Sequence, residues 1–347
     1  MPDTRRIDAV DGLRAVAMLM VVAFHCMIMP NGWSGVWLFF VISGYVITRN
    51  FLARQSEFEA PRAHYLDFIT RRAVRIIPAY IVYLIVATVL MATVGNTQQF
   101  RVIPFLLTFT YNWQRIYLFE NVPNDSLYGP MWSLSVEEQF YLFFPLLFLF
   151  APRRHFLKVA VGFLLLAPFA RLAMSLSAAT QGWPTDRIID SVYLNAVLHF
   201  DAFLAGALIA IYEPRLQSNQ RLVNRLRLGI IAGVLAYGVI NTALRSSGQA
   251  TSQSTALQNT FWFGRQGFVY TVYVAAFSLL MIETLRRTWW TGWLAARSLV
   301  VIGRISYSGY LYHIIPLWLL RTYVIHQDIG QLPLVWRYLV FAGALGI

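Results

Sequence analysis

Apolar residues in this chain come in long unbroken blocks rather than in short alternating patterns. Blocks long enough to cross a bilayer occupy about residues 10–29, 34–53, 76–95, 136–152, 157–176, 192–212, 227–244, 266–285 and 299–320, and a last one opens near Leu334 and reaches Ile347. A span needs about 20 residues at ~1.5 Å each. The pattern therefore predicts an all-α polytopic membrane bundle of about ten transmembrane helices. The last is cut short, so the full protein is expected to continue beyond it. Residues 102–112 are apolar but too short to cross. They are expected to form a re-entrant or interfacial segment, because irregular backbone at membrane depth survives only against protein or a water-filled cavity. The segment 7–347 reads as one membrane domain, with no soluble domain, fixed-period repeat or low-complexity tract.

Composition agrees with this pattern. The 347 residues are 58% hydrophobic and only 13% charged, about half the charge of a soluble domain. The formal charge of +12 raises nucleic acid as a partner, but the basic residues are scattered through short loops between apolar blocks, which is a topology signal instead. With the N-terminus and its Arg5 and Arg6 on the cytoplasmic side, the inner loops hold Arg54, Arg62, Arg71, Arg72 and Arg75, then Arg153, Arg154 and Lys158, then Arg215, Arg221, Arg225 and Arg227, then Arg286, Arg287 and Arg297. Outer loops keep scattered arginines such as Arg101, Arg115, Arg187, Arg245 and Arg265. Counting 102–112 as a span inverts every later loop and destroys the bias, so ten spans in the cell (inner) membrane are favoured. Arg5 and Arg6 before an apolar run resemble a signal peptide, but that run contains Arg14 and His25, lacks a cleavage site and is expected to stay as helix 1.

Of the 28 lysines and arginines only Lys158 is a lysine. Arginine binds phosphate bidentately, though a GC-rich genome produces the same bias. The single cysteine, Cys26, excludes internal disulfides and cysteine-based metal sites and reads as a small apolar wall residue.

Polar residues inside the apolar blocks are costly and mark functional sites by default. Arg14 and His25 lie eleven residues apart in the first block. At ~100° per residue they share one helix face, ~16 Å apart along the axis. The second block carries Ser43-Gly44, which allows close helix approach; Ser43 serves either that packing or a hydroxyl-lined substrate path. Arg72 and Arg75, three apart with Arg71 adjacent, form a cationic cluster at the inner end of the third block. It is either a topology anchor or a seat for a phosphorylated cytosolic donor. Ser133, Glu137 and Tyr141 stand four apart in Met-Trp-Ser-Leu-Ser-Val-Glu-Glu-Gln-Phe-Tyr and so line one helix face entering the membrane. Capping and dipole effects explain one glutamate there and Ser133 or Ser135 as N-cap. A serine–carboxylate–phenol stripe points further, to a general base or to a group that orients a histidine. Asp201, beside His199, needs a partner within the bundle, with Arg14 or Arg75 available. His313 lies deep in the ninth block, as a structural or path-lining histidine. His64, His155 and His326 fall at loops or ends and receive no role. No paired-histidine metal pattern and no Gly-x-Ser-x-Gly elbow occurs.

Taken in order, these segments resemble the acyltransferase-3 family of integral membrane acyltransferases from Ile7 to the end of the chain. The family's signatures map to Arg14 and His25, to Arg72 and Arg75, to Ser133, Glu137 and Tyr141, and to the Ser-Tyr-x-x-Tyr-Leu-x-His run from Ser306 to His313. The chain departs from the pattern at His199, where many relatives carry an arginine two residues before the aspartate. The resemblance implies transfer of an acyl group, usually acetyl, from acyl-CoA to a hydroxyl. The acceptors it implies are carbohydrates or lipid-linked sugars of the envelope or secreted products, such as O-antigen, exopolysaccharide, peptidoglycan or lipo-oligosaccharide, and sometimes macrolides. Some relatives carry an extracytoplasmic esterase-like domain after an extra span. On this reading Arg72 and Arg75 hold the phosphates of acetyl-CoA, Arg14 seats the donor or steadies charge at the thioester, and His25 is general base or acyl carrier. Glu137 orients or charges a catalytic partner, and Ser43, Ser133, Tyr141, Asp201 and His313 line the substrate path. The expected path runs from the arginine cluster inside to the Ser133–Glu137–Tyr141 stripe at the outer entrance. No permanently bound cofactor or metal is expected, and the partners are the lipid bilayer, acyl-CoA and the acceptor. The alternative from another class is a transporter or flippase of lipid-linked sugar that uses the same His, Arg and Glu side chains as a proton relay.

Overall fold

The computed structural model describes residues 7–57, 60–118, 126–244 and 265–346. Arg5, Arg6 and Arg245 lie outside them. The described residues form helices joined by short turns, with no strand among them. Among the described residues, seven helices are long and apolar enough to cross a membrane, from Gly32–Ala53 to Gln266–Leu285. The first helix, α1 (Asp8–His25), leads into α2 (Gly35–Ala53) and α3 (Pro61–Thr93). Two short helices follow, α4 (Ile103–Leu107) and α5 (Tyr111–Tyr117), and then α6 (Met131–Phe150) and α7 (Arg153–Thr180). The chain continues through α8 (Thr185–Tyr193), α9 (Phe200–Ser218), α10 (Gln220–Leu244) and α11 (Arg265–Leu285). It ends in α12 (Arg297–Arg304), α13 (Ser306–Tyr312), α14 (Ile314–Leu320) and α15 (Leu334–Leu345).

The centre of the bundle is α2, with 67% of its apolar window buried, whereas α10 has 6% and lies at the periphery. α2 and α9 run parallel in close contact, with Trp37 beside His199, Gly44 beside Phe203 and Arg49 beside Glu213. Their backbones nearly touch: a Cβ on Gly44 would stand 1.9 Å from the Phe203 carbonyl oxygen, and one on Gly206 would stand 2.0 Å from that of Val41. Small residues at such crossings let dispersion contacts replace the hydrophobic drive that lipid does not supply. Gly44 is therefore a packing residue of this crossing. α6 runs alongside α2 in the same direction, from Trp132 at Trp37 to Phe148 at Phe51. α1 packs parallel to the α12–α13 rod, with Asp11 at Gly303, Met18 at Gly309 and His25 at His313.

Three elements differ from the expected blocks. α3 starts at Pro61, fifteen residues before the predicted span, so the Arg71–Arg75 cluster sits on a helix of 33 residues rather than in a loop. Apolar periodicity marks the part of a helix that faces hydrocarbon, not where the helix begins, and Pro61 is well suited to the first turn. The ninth block is a segmented rod whose regular turns are interrupted at Ile305 and His313 and give way to a π-turn over Arg321–Ile325. α9 begins at Phe200, so His199 belongs to the 3-10 turn that leads into it rather than to the α-helix itself.

Residues 102–112 form no helix long enough to cross. α4 and α5 have 5 and 7 residues and rise only ~8 and ~11 Å. Phe109, at φ 52°, turns the chain between them. Gln139 of α6 pins this elbow by donating to the Phe109 carbonyl at 2.7 Å and to Asn112 at 2.8 Å, and it accepts from Trp113 Nε1 at 2.9 Å. Tyr80 of α3 donates to the Leu106 carbonyl at 3.1 Å.

Candidate active site

Five helices bring their polar faces to one cavity of about 700 Å³, counted with its open mouth. α1 contributes Arg14, α2 contributes Ser43, and α3 contributes Arg72 and Arg75. α6 contributes Ser133, Glu137 and Tyr141, and α13 contributes Ser306, Tyr307 and Tyr310. Val36, Phe39, Phe40, Ile76 and Leu134 supply the apolar part of the wall. The spacings explain the convergence. Positions 36 and 40, 39 and 43, 72 and 76, 133, 137 and 141, and 306 and 310 each repeat every four residues and so share a face.

Glu137 is the hub of the α6 wall. Its Oε1 accepts from Ser43 Oγ at 2.7 Å and from the Tyr141 hydroxyl, and Tyr141 lies 3.3 Å from Ser43 Oγ. The guanidinium of Arg72 stands 4.5 Å from the Tyr141 ring centroid and 5.6 Å from that of Phe68, within cation–π reach. Arg14 is 3.9 Å from Asp11, one turn back on α1, and Asp11 is also 3.6 Å from Arg304. Three guanidiniums and one carboxylate thus line the cavity, an arrangement suited to a polyanionic ligand.

The expected order of the path is corrected here. The Arg72/Arg75 cluster and the Ser133–Glu137–Tyr141 stripe are walls of the same cavity, not two ends of a channel. The antiparallel course of α3 against α6 causes this, because the long helix carries its arginines up to the level of Tyr141. Glu137 holds Ser43 and Tyr141 and orients no histidine among the described residues.

Next to this cavity lies a histidine pair. His25, half-buried at the end of α1, has its ring centroid 5.1 Å from that of buried His313. The Tyr310 ring is 5.7 Å from His313, and the Tyr310 hydroxyl hydrogen-bonds with Ser133 Oγ. Tyr310 is therefore the bridge between the cavity wall and the imidazoles. The sequence placed its motif here but did not single out this residue.

Asp201 is not part of the site. It pairs with Arg171 of α7 at 2.5 Å, with both side chains at most 1% exposed. Arg171 also donates to the Leu198 carbonyl and, at 3.0 Å, to Thr271 of α11. The expected partners, Arg14 and Arg75, face the cavity instead. Sequence reasoning passed over Arg171, although an arginine within Leu-Leu-Leu-Ala-Pro-Phe-Ala-Arg is as costly in lipid as Arg14. His199 is also structural. Its Nδ1 accepts from Trp37 Nε1 at 3.2 Å, which leaves Nε2 as the donor to the Val192 carbonyl at 2.8 Å.

The geometry agrees with what the chain is similar to. The acyltransferase-3 family model, an acyltransferase domain, matches residues 7–347. O-acetyltransferase OatA of Staphylococcus aureus strain NCTC 8325 / PS 47 is 26% identical over 351 residues, covering 98% of this chain and 55% of the relative. A putative O-acetyltransferase of strain COL, SACOL0978, is 26% identical over 345 residues, covering 95% of this chain and 53% of its own length. The chain thus spans about half the length of these curated relatives. No solved structure matches. With the family match running through all five helices of the cavity, the chain belongs to the acyltransferase-3 family and its helical domain is an acyltransferase domain.

Proposed function

We propose that this protein is a membrane O-acyltransferase that moves an acetyl group from acetyl-CoA to a hydroxyl of an envelope or exported carbohydrate. The observation that carries the reading is the cavity in which Arg14, Arg72 and Arg75 face Ser43, Glu137 and Tyr141, with His25 adjacent. Family membership favours acyl transfer over transport of a lipid-linked sugar, and the names of the relatives add the acetyl group and the oxygen acceptor. In this reading 7–347 is one domain, the bundle spans the inner membrane about ten times, and the N-terminus is cytoplasmic.

Arg72 and Arg75 bind the phosphates of the donor as forked, permanently charged groups. Arg14, ~16 Å along α1 from His25, helps to seat the donor between its phosphates and the thioester. His25 takes the proton of the acceptor hydroxyl as that oxygen attacks the thioester carbonyl carbon. The C–S bond breaks, the ester forms, and the departing thiolate takes the proton back from His25. Glu137 balances the arginine charge and keeps Tyr141 and Ser43 in line along the wall. No resident cofactor takes part.

The test uses purified protein in detergent or vesicles with acetyl-CoA and an envelope glycan, following free CoA and acceptor mass together. Coupled CoA release and acetylation of the glycan are expected. His25→Ala is expected to lose about 10²–10⁴-fold in rate, the range of a positioned general base. Near-normal transfer by a folded His25→Ala protein sinks the mechanism. Movement of unmodified lipid-linked sugar without CoA release sinks the functional reading.

A further inference from the structure

Two buried histidines, His199 and His313, and the half-buried His25 occupy the region around the cavity's upper end, and their hydrogen bonding separates them. His199 has both ring nitrogens engaged, one by Trp37 and one by the Val192 carbonyl. His25 makes ring contacts with Phe24 and His313 but no hydrogen bond among the described residues. His313 stands between these cases. Its Nδ1 lies 2.6 Å from the Tyr310 carbonyl oxygen, and its Nε2 is buried with no hydrogen-bond partner among the described residues.

A carbonyl oxygen can only accept, so Nδ1 carries the hydrogen and Nε2 of the neutral ring presents a lone pair. A buried polar atom without a partner is disfavoured, and one in a native structure calls for an explanation. Its surroundings supply one. The ring is 2% exposed, sits at the break between α13 and α14, and stands against the His25 ring at 5.1 Å and 48°. That separation admits an N–H···N bond after a small rotation of the half-buried His25 ring, or through one water.

We infer that His313 is the positioning residue of the transfer reaction: its Nε2 accepts the N–H of His25 and so turns the other nitrogen of His25, as a lone pair, toward the acceptor hydroxyl. This rests on the reading of His25 as the base. The proton balance of the transfer is unchanged. His25 gains and returns the hydroxyl proton on the nitrogen facing the acceptor, while its second N–H stays on the bond to His313. A base held in one tautomer by a third group is the arrangement that activated nucleophile systems use. Here the third group is a neutral imidazole, a suitable choice where a second carboxylate would be costly. The Tyr310 carbonyl is the next link, since it holds the His313 tautomer. The Tyr310 hydroxyl on Ser133 ties the assembly to the donor cavity.

The test compares His313→Phe, which keeps a ring and removes both nitrogens, with His313→Gln, whose amide oxygen reaches the Nε2 position. Both are purified with the wild type and His25→Ala, and each is checked for an unaltered unfolding temperature in detergent. His313→Phe is expected to lower kcat by about 10²-fold with KM for acetyl-CoA within about twofold, and His313→Gln to recover at least about tenfold of that loss. Wild-type turnover by His313→Phe beside a dead His25→Ala overturns the inference alone. So does a rise in KM at unchanged kcat, which marks a path-lining residue, and so does a folded His313→Gln as inactive as His313→Phe. If His313→Phe fails to fold, the kcat and KM of His313→Gln against wild type decide. A loss of more than about 10²-fold there counts against the inference. Full activity of His25→Ala removes the base reading itself.

Discussion

Glu137 is the residue at which charge and hydrogen bonding can be separated. Its Oε1 takes hydrogen bonds from Ser43 and Tyr141, both of which an amide oxygen can also accept. Glu137→Gln therefore keeps the wall and removes only the charge that faces the three arginines. If that charge sets the field at the thioester, the variant folds normally and loses about 10²–10³-fold in kcat, the span seen when one preorganised electrostatic group is removed. Steady-state kinetics with acetyl-CoA check this, and a variant with unchanged kcat reduces Glu137 to scaffolding. The residues of this wall were legible in the sequence because four-residue spacing alone determines what shares a helix face. What touches them across helices was not. Periodicity says nothing about which neighbour a face meets, so Asp201 was given Arg14 or Arg75 as partner when Arg171 holds it. For the same reason the sequence left Glu137 as a general base or a group orienting a histidine, without the serine and tyrosine that it holds.

At the scale of elements, the buried pair of Arg171 and Asp201 fastens α7 to α9, and through Thr271 to α11. Removing one partner leaves the other charge buried and unmatched, which costs about 3–5 kcal/mol, whereas replacing both with apolar residues of similar volume is often neutral. Arg171→Ala and Asp201→Ala are expected to lower the unfolding temperature in detergent markedly, and the double variant Arg171→Met with Asp201→Leu to recover most of the loss. Activity should follow stability in all three, since neither side chain lines the cavity. A stable but inactive double variant would falsify the purely structural assignment and return Asp201 to the substrate path. The long helices were legible from apolar length, and so was the shortness of the elements within 102–112. Their boundaries were not, because the arginines on the first turns of α3 break the apolar run without breaking the helix. The interruptions at Ile305 and His313 were not anticipated, although the serines, glycine and tyrosines of Ser-Tyr-Ser-Gly-Tyr-Leu-Tyr make this stretch far less apolar than a regular span.

For the molecule as a whole, the decisive quantity is which side of the membrane each end of the cavity faces. α3 has 33 residues and so extends ~50 Å, more than the ~30 Å of a hydrocarbon core. A membrane-spanning α3 then has its two ends in water on opposite sides. Arg62, near the start of α3, and Gln98, in the turn after it, are both exposed. The only native thiol, Cys26, is buried and offers little background. With the N-terminus cytoplasmic, Gln98→Cys should react with a membrane-impermeant maleimide in intact cells, and Arg62→Cys only after the membrane is opened. This outcome puts the side of the cavity nearer Arg72 toward the cytosol, where acetyl-CoA is made, and the His25–His313 pair toward the outside. The enzyme then passes an acyl group from an inner donor to an outer acceptor across a single cavity, with Tyr310 and Ser133 at the crossing. The reverse labelling pattern puts the histidines on the donor side instead. An acceptor exported after acylation would then be required, and the arginine bias of the loops would have to be read as composition rather than topology.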